Sequence, residues 1–194
     1  MGSEMCIRDR YRAVAWKTLY DEVPLEDEDA VTRLAKRAVI ELTPSAVLID
    51  GHDVTRDIRT PSIDRAATSV ARLPGVRAVL VERQRALAAN GAIVMEGRDI
   101  GTVVFPNADV KVYLDASPEE RARRRANDPA HSGGSAMVAE VATAMTARDE
   151  MDKTRTASPL YNAPDAVVID TTAKDVQQVV AEVLALIGER PARS

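Results

Sequence analysis

The sequence predicts an α/β fold: a parallel sheet covered by helices on both faces, with a small domain inserted into it. Two observations carry the prediction. Apolar segments at 92–96, 110–114 and 166–170 read as buried strands set between helical segments, and strands that are apolar throughout belong to sheets with both faces covered. Residues 38–73 break this alternation with two short β-branched runs and a helix of their own. That break predicts the inserted domain.

In chain order, residues 11–20 are helix-like, with Val14, Trp16 and Leu19 along one side. A second helix follows the acidic turn Glu26 to Asp29, whose carboxylates suit the positive end of a helix dipole, and it buries Val31, Leu34 and Ala38. The runs 39–43 and 46–50, separated by Thr43-Pro44-Ser45 and closed by Asp50-Gly51, predict a hairpin. Thr60-Pro61 predicts a helix start, and Ile63, Ala66, Val70 and Leu73 follow at helical spacing. Pro74 opens the next helix, with Val76, Val79, Leu80 and Leu87 on one face and Gly91 as its C-cap. Ser117-Pro118-Glu119-Glu120 predicts a capping box opening a helix to about 126. Two further helices are expected at 136–148 and 174–188. The core is expected over 11–37 and 74–188, the insert over 38–73 and a short tail over 189–194.

A chain of 194 residues suits one core carrying a small insert. With 45% apolar and 29% charged residues it belongs among soluble globular folds. The net charge of −4 argues against a protein that coats nucleic acid, which needs surplus Lys and Arg. No apolar run reaches the roughly 20 residues of a membrane span. The single cysteine excludes an internal disulfide. Residues 1–10 show neither helical nor strand periodicity, and Glu4 to Asp9 reads like a translated sequencing adaptor. They are expected to be a scar outside the fold, with Cys6 carrying no function.

Three clusters are candidates for chemistry. Gly97-Arg98-Asp99-Ile100-Gly101 follows a strand, where open parallel sheets bind small ligands, although a tight turn with a surface ion pair looks the same. Arg121, Arg123, Arg124 and Arg125 end a helix, where a solvated basic face is equally natural. Arg148, Asp152 and Arg155 recur at spacings of four and three, which suits one helical face or a set of surface ion pairs. Several arginines without a Ser, Cys or His arrangement for a covalent intermediate point to phosphoryl transfer, which depends on positioning and charge stabilisation.

Tyr11-Arg12-Ala13, Asp53-Val54-Thr55, Ile58-Arg59-Thr60, Leu73-Pro74-Gly75-Val76-Arg77, Arg83-Gln84-Arg85 and above all Gly97 to Pro106 resemble bacterial cytidylate kinases. So do 116–125, 148–155, Pro159-Leu160 and 165–172, in the same order over nearly all of 11–188. The resemblance implies a P-loop-kinase-like parallel core with an inserted nucleoside-monophosphate domain and a short lid at about 121–155. It implies ATP as phosphoryl donor with Mg²⁺, and CMP or dCMP as acceptor. A cytoplasmic monomer with small-molecule partners is expected, contacting neither nucleic acid nor membrane.

By the same resemblance Arg77 and Asp99 read the cytosine edge, with Thr68 supplying a hydroxyl near the base. Arg148 and Asp152 contact the sugar. Arg12, Arg98 and Arg155 clamp the acceptor phosphate. Arg124, with Arg121 or Arg125, reaches the transferring phosphates as an internal arginine finger; Arg124, Arg148 and Arg155 are the catalytic candidates.

The lid stretch 128–135 departs from the pattern, and no G-x-x-x-x-G-K-[ST] loop occurs in the 194 residues. The resemblance places that loop, which carries the Mg²⁺-holding Ser/Thr, before Tyr11 together with strands 1 and 2 of a 2-3-1-4-5 sheet. The chain is therefore expected to be an N-terminally truncated fragment, itself inactive and without a metal ligand. The alternatives are a kinase for another small acceptor and a non-catalytic nucleotide-binding remnant.

Overall fold

The computed structural model describes residues 3–43, 45–89, 93–127, 138–154 and 161–189, and the side chains of all of these except 3–7, 148 and 151–153. They form two compact units, one reaching Ile100 and one starting at Gly101.

The first unit begins with strand β1 (Ser3–Cys6), which runs directly into helix α1 (Ile7–Tyr20). Helix α2 (Glu28–Arg37) follows, capped by Asp27, whose carboxylate accepts the Ala30 N–H at 2.9 Å. The predicted hairpin is strands β2 (Ile40–Leu42) and β3 (Val47–Ile49), paired antiparallel, and β4 (His52–Asp53) adds a third antiparallel strand. Asp50 and Gly51 make the turn between β3 and β4 at φ 49° and 80°, left-handed values that Gly and Asp tolerate best. A 3₁₀ turn (Asp57–Arg59) leads to helix α3 (Pro61–Val70), with Thr60 as the predicted N-cap. Helix α4 (Pro74–Ala88) ends at the Ala89 cap, so the predicted Gly91 cap falls outside the described residues. Strand β5 (Ile93–Glu96) pairs parallel with β1.

One apolar core fills this unit. Val14, Val31, Ile49, Val54, Ile58, Val70, Val76 and Leu80 are fully buried together, each worth roughly 1.5–3 kcal/mol relative to exposure. Segment 38–73 thus shares its core with α1, α2 and α4. Among the described side chains of α1 the buried ones are Asp9, Arg10, Tyr11, Arg12, Ala13, Val14, Ala15 and Thr18, a broader face than the predicted stripe. Leu19 is exposed, and Trp16 stacks on Tyr20 at 4.7 Å beside His52.

Residues 3–10, expected to lie outside the fold, are strand and helix here. The physical reason is pairing: the edge groups of β5 need partners, and Ser3–Cys6 supplies them in register from Ser3↔Ile93 to Cys6↔Glu96.

The second unit holds a π-helical segment continuing to Val104, strand β6 (Val112–Asp115), helix α5 (Pro118–Ala126), helix α6 (Val138–Thr154), strand β7 (Val167–Asp170) and helix α7 (Val176–Gly188). Strands β6 and β7 are parallel, as the sequence predicts, with Tyr113 opposite Val168. Helix α5 packs on α6. Ser117 caps α5, accepting the Glu120 N–H at 3.2 Å. The Glu120 carboxylate turns to Arg123 and Arg124, while the Ser117 N–H donates to Thr172 Oγ1. A full capping box stands instead at Asp175 and Gln178, opening α7.

The predicted single sheet, covered on both faces, is not what the described residues form. Strand β5 pairs with β1, and β6 with β7, as two separate parallel pairs. Val94, Leu114 and Val168 are each more than half exposed, and α7 buries none of its residues. Two-stranded pairs offer little surface for helices to cover, so apolar side chains that a wide sheet would bury stay in contact with solvent. No helix among the described residues is long and apolar enough to cross a membrane.

Candidate functional site

The first unit holds a group of polar and charged residues from α1, α3, α4 and the loop after β5. Arg77 enters from the first turn of α4, fixed there by Leu73-Pro74. Its guanidinium pairs with the Asp99 carboxylate, and both side chains are under 10% exposed. Arg77 Nη1 also donates to the Ala71 carbonyl at 3.1 Å, and its guanidinium lies 5.8 Å from the centre of the Tyr11 ring. The cation–π contact and the carbonyl bond hold the fork in one orientation.

Arg12 follows Tyr11 on the same helix and is 1% exposed. Its Nε and Nη2 donate to Asp64 Oδ1 at 2.9 and 2.7 Å, and its Nη1 reaches Asp9 Oδ1 at 3.2 Å. One turn further along α3, the Thr68 hydroxyl donates to the Asp64 carbonyl at 2.9 Å. Thr68 is half-buried, whereas Ser69 is exposed. Of the two hydroxyls, Thr68 is therefore the inward-facing one.

The sequence-predicted acceptor residues thus fall into two sets: Arg77 with Asp99, and Arg12, whose partner Asp64 lies one turn before Thr68 on α3. Arg98 is half-buried beside Asp99. Arg148 and Asp152 lie on the backbone of α6, but their side chains, like the whole of Arg155, fall outside the described residues. Arg59 belongs to the Ile58-Arg59-Thr60 motif. In the structure it meets Asp9 through two bonds.

In the second unit an open cleft of about 430 Å³ is lined by Asp115, Ala116, Ser117, Pro118, Arg121, Asp170 and Thr172. It lies at the carboxyl ends of β6 and β7 and the N-terminus of α5, where open parallel sheets bind ligands. Arg121 lines it and pairs with Asp149 at 2.6 Å. Arg124, the expected finger, is engaged in three directions: Nε to Glu120 at 2.7 Å, Nη1 to Thr171 Oγ1 at 2.9 Å, and Nη2 to the Thr171 carbonyl at 2.5 Å. It ties α5 to the loop after β7. Arg125 is half-buried on the same helix. Among the described residues no group of three His, Cys, Asp or Glu is placed to hold a metal ion.

Electrostatics at the cleft follow from these contacts. The Asp170 carboxyl is held below its ordinary value, chiefly by the Thr172 hydroxyl and then by the Thr172 N–H. Arg123, and then Arg124, donate to Glu120 and hold its carboxyl down from 4.5 to about 2. Because the folded value lies below the unfolded one, the stability this carboxylate lends is complete above 4.5 and disappears as the pH falls through 2. The unfolding midpoint of the second unit is expected to fall between these pH values more steeply in the wild type than in Glu120→Gln. Parallel curves measured by circular dichroism would show that the Arg123–Glu120–Arg124 group is not formed.

The comparisons with known proteins agree over most of the chain. The family described as cytidylate kinase matches residues 8–189. A cytidylate kinase of Pelotomaculum thermopropionicum is 46% identical over 183 residues, covering 92% of this chain and 81% of that protein. One of Desulfitobacterium hafniense is 43% identical, covering 93% and 79%. One of Geobacillus kaustophilus is 44% identical, covering 93% and 82%. With a family match that takes in both clusters and identities above two in five over nine-tenths of its length, the chain belongs to the cytidylate kinase family.

Proposed function

We propose that the protein transfers a phosphoryl group from ATP to CMP or dCMP, giving CDP or dCDP. The observation that carries this reading is the buried Arg77–Asp99 pair, aligned by Tyr11 and the Ala71 carbonyl. A cytosine edge offers two acceptors and one amine donor, so it can exchange for the pair's mutual bond: Arg77 donates to O2 and N3, and Asp99 accepts from the N4 amine. Uracil would set a carbonyl against the carboxylate, leaving a buried acceptor facing another acceptor.

Around that pair, Arg12, Arg98 and Arg155 are proposed to hold the acceptor phosphate, Arg148 and Asp152 the sugar, and Thr68 the base side. The acceptor phosphate oxygen then attacks the γ-phosphorus in line as the bond to the β,γ-bridging oxygen breaks and ADP leaves, and arginines stabilise the charge on the transferring group without a covalent enzyme intermediate. On the donor side Arg121, which lines the cleft, is the favoured arginine, with Arg125 beside it. Arg124 acts as a finger only after exchanging its bonds to Glu120 and Thr171 for bonds to phosphate. Mg²⁺ would accompany ATP and offset the charge of its phosphates. The lid over 121–155, the insert at 38–73, a monomeric state and a cytoplasmic location belong to the same proposal.

Calorimetric titration tests the base reading. CMP and dCMP are expected to bind at least about tenfold more tightly than UMP, the discrimination that one mismatched hydrogen-bonding position gives. Equal affinities would refute the assignment of Arg77 and Asp99.

A further inference from the structure

Helix α4, which carries Arg77 in its first turn, begins without a capping side chain of its own, because Leu73 at its N-cap has no side-chain oxygen. The acceptor comes from another helix. Glu28, in the first turn of α2, accepts the Gly75 N–H at 3.0 Å, and a carboxylate there also suits the positive end of the α4 dipole. The far end is tied in the opposite sense. Arg83, further along α4, donates from Nη1 to the Ala38 carbonyl and from Nη2 to the Lys36 carbonyl, each at 2.8 Å. Those carbonyls stand at the end of α2, where a cation satisfies them best. Helix α2 thus holds the start of α4, and α4 holds the end of α2. Between the two ties Val31, Leu34 and Ala35 of α2 are buried in one core with Val76, Val79 and Leu80 of α4. A Cβ added at Gly75 would stand 2.4 Å from Thr32 Oγ1. The spacing and the register of the two helices are therefore fixed together.

We propose that Glu28 and Arg83 are positioning residues for base recognition, which set through this reciprocal capping how Arg77 stands against Asp99. This rests on the reading of Arg77 and Asp99 as the pair that meets cytosine. Glu28 and Arg83 act through α4 and do not meet the base themselves. Gly75 lies two positions before Arg77, so a start of α4 released from Glu28 carries the guanidinium away from the line that O2 and N3 of cytosine require. Two parallel bonds from one planar fork tolerate little displacement. Loosening at Arg83 frees the other end of α2 and shifts the same helix.

The test is calorimetric titration of the 194-residue chain with CMP and UMP, in the wild type and in Glu28→Ala, Glu28→Gln and Arg83→Met. The readout is the preference for CMP over UMP, because a variant that is merely part unfolded binds both nucleotides more weakly by the same factor. Glu28→Ala and Arg83→Met are each expected to lose about fivefold of that preference, the shift in an equilibrium that one lost helix cap gives. Glu28→Gln still offers an oxygen to the Gly75 N–H and is expected to keep most of it. An unchanged preference in either Glu28→Ala or Arg83→Met, with CMP and UMP weakened alike, would overturn the proposal and leave two helices that merely pack. So would a loss in Glu28→Gln as large as in Glu28→Ala. If either of the two larger replacements does not fold, Gly75→Ala carries the comparison, since it leaves both side chains in place but drives Thr32 away from α4; a preference equal to that of the wild type then overturns the proposal. Equal binding of CMP and UMP by the wild type would refute the reading of Arg77 and Asp99 itself, and the proposal with it, whereas a discriminating wild type with discriminating variants refutes the proposal alone.

Discussion

Replacing Arg77 with alanine is expected to lower the unfolding free energy of the first unit by about 3–5 kcal/mol, the usual cost of leaving a buried charge without its partner. Folded domains hold only about 5–15 kcal/mol in total. Such a loss would leave the unit marginal at 25 °C. Asp99→Ala is expected to cost a similar amount, since it strands the guanidinium. The double replacement Arg77→Met/Asp99→Leu removes both charges for apolar groups of comparable volume and is expected to recover most of the lost stability. It should nonetheless bind no CMP, because neither donor nor acceptor is left for the base. Urea unfolding of the four proteins measures this. Single variants costing under about 1 kcal/mol would mark the pair as a solvated one, and the base-reading geometry would fail with it.

Local chemistry made much of the fold legible. Thr60-Pro61 and Ser117-Pro118 mark helix starts because a side-chain oxygen can satisfy an N–H within three residues and proline loses nothing at the first helical position. Both stand where the sequence places them. Asp50-Gly51 marks a turn for another local reason, the left-handed backbone that both residues tolerate. The strand segments and their parallel pairing at β6–β7 follow from apolar runs separated by helices.

What was not legible depends on partners far along the chain. Ser3–Cys6 has no alternation of its own and is a strand because β5 offers it an edge. Asp9 meets Arg59 across fifty positions, and no local pattern joins them. Glu120 looks like the return arm of a capping box, yet two arginines of the same helix compete for its carboxylate with charge on their side. Helix α7 stands where a helix is expected but buries none of its residues, because a helical segment in the sequence does not say whether another element covers it.

At the candidate site, motif order singled out Arg77, Asp99 and Arg12, but the burial of Arg77 against Asp99 and of Arg12 against Asp64 depends on the fold. Arg124 stands in the arginine cluster that the sequence marks, but its engagement with Thr171 depends on the β7 loop. Arg121, one turn earlier on α5, is the member that lines the cleft.

The 194-residue polypeptide by itself is expected to release ADP from ATP and CMP no faster than a protein-free blank. Its residues contain no G-x-x-x-x-G-K-[ST] stretch, whose amides and lysine fix the β- and γ-phosphates in this chemistry. Positioning of the reacting groups accounts for about 7–11 kcal/mol of barrier lowering in well-oriented reactions, so losing the donor's fixation removes turnover by many orders of magnitude. Joined to the loop-bearing segment of a cytidylate kinase relative, the same residues should turn over at an ordinary kinase rate of about 1–100 s⁻¹. The most direct test follows CDP and UDP formation by that joined protein, supplied with ATP and equal CMP and UMP, with the 194-residue polypeptide alongside. The account predicts CDP in large excess over UDP from the joined protein and neither product from the polypeptide alone. Equal formation of CDP and UDP by the joined protein would contradict it.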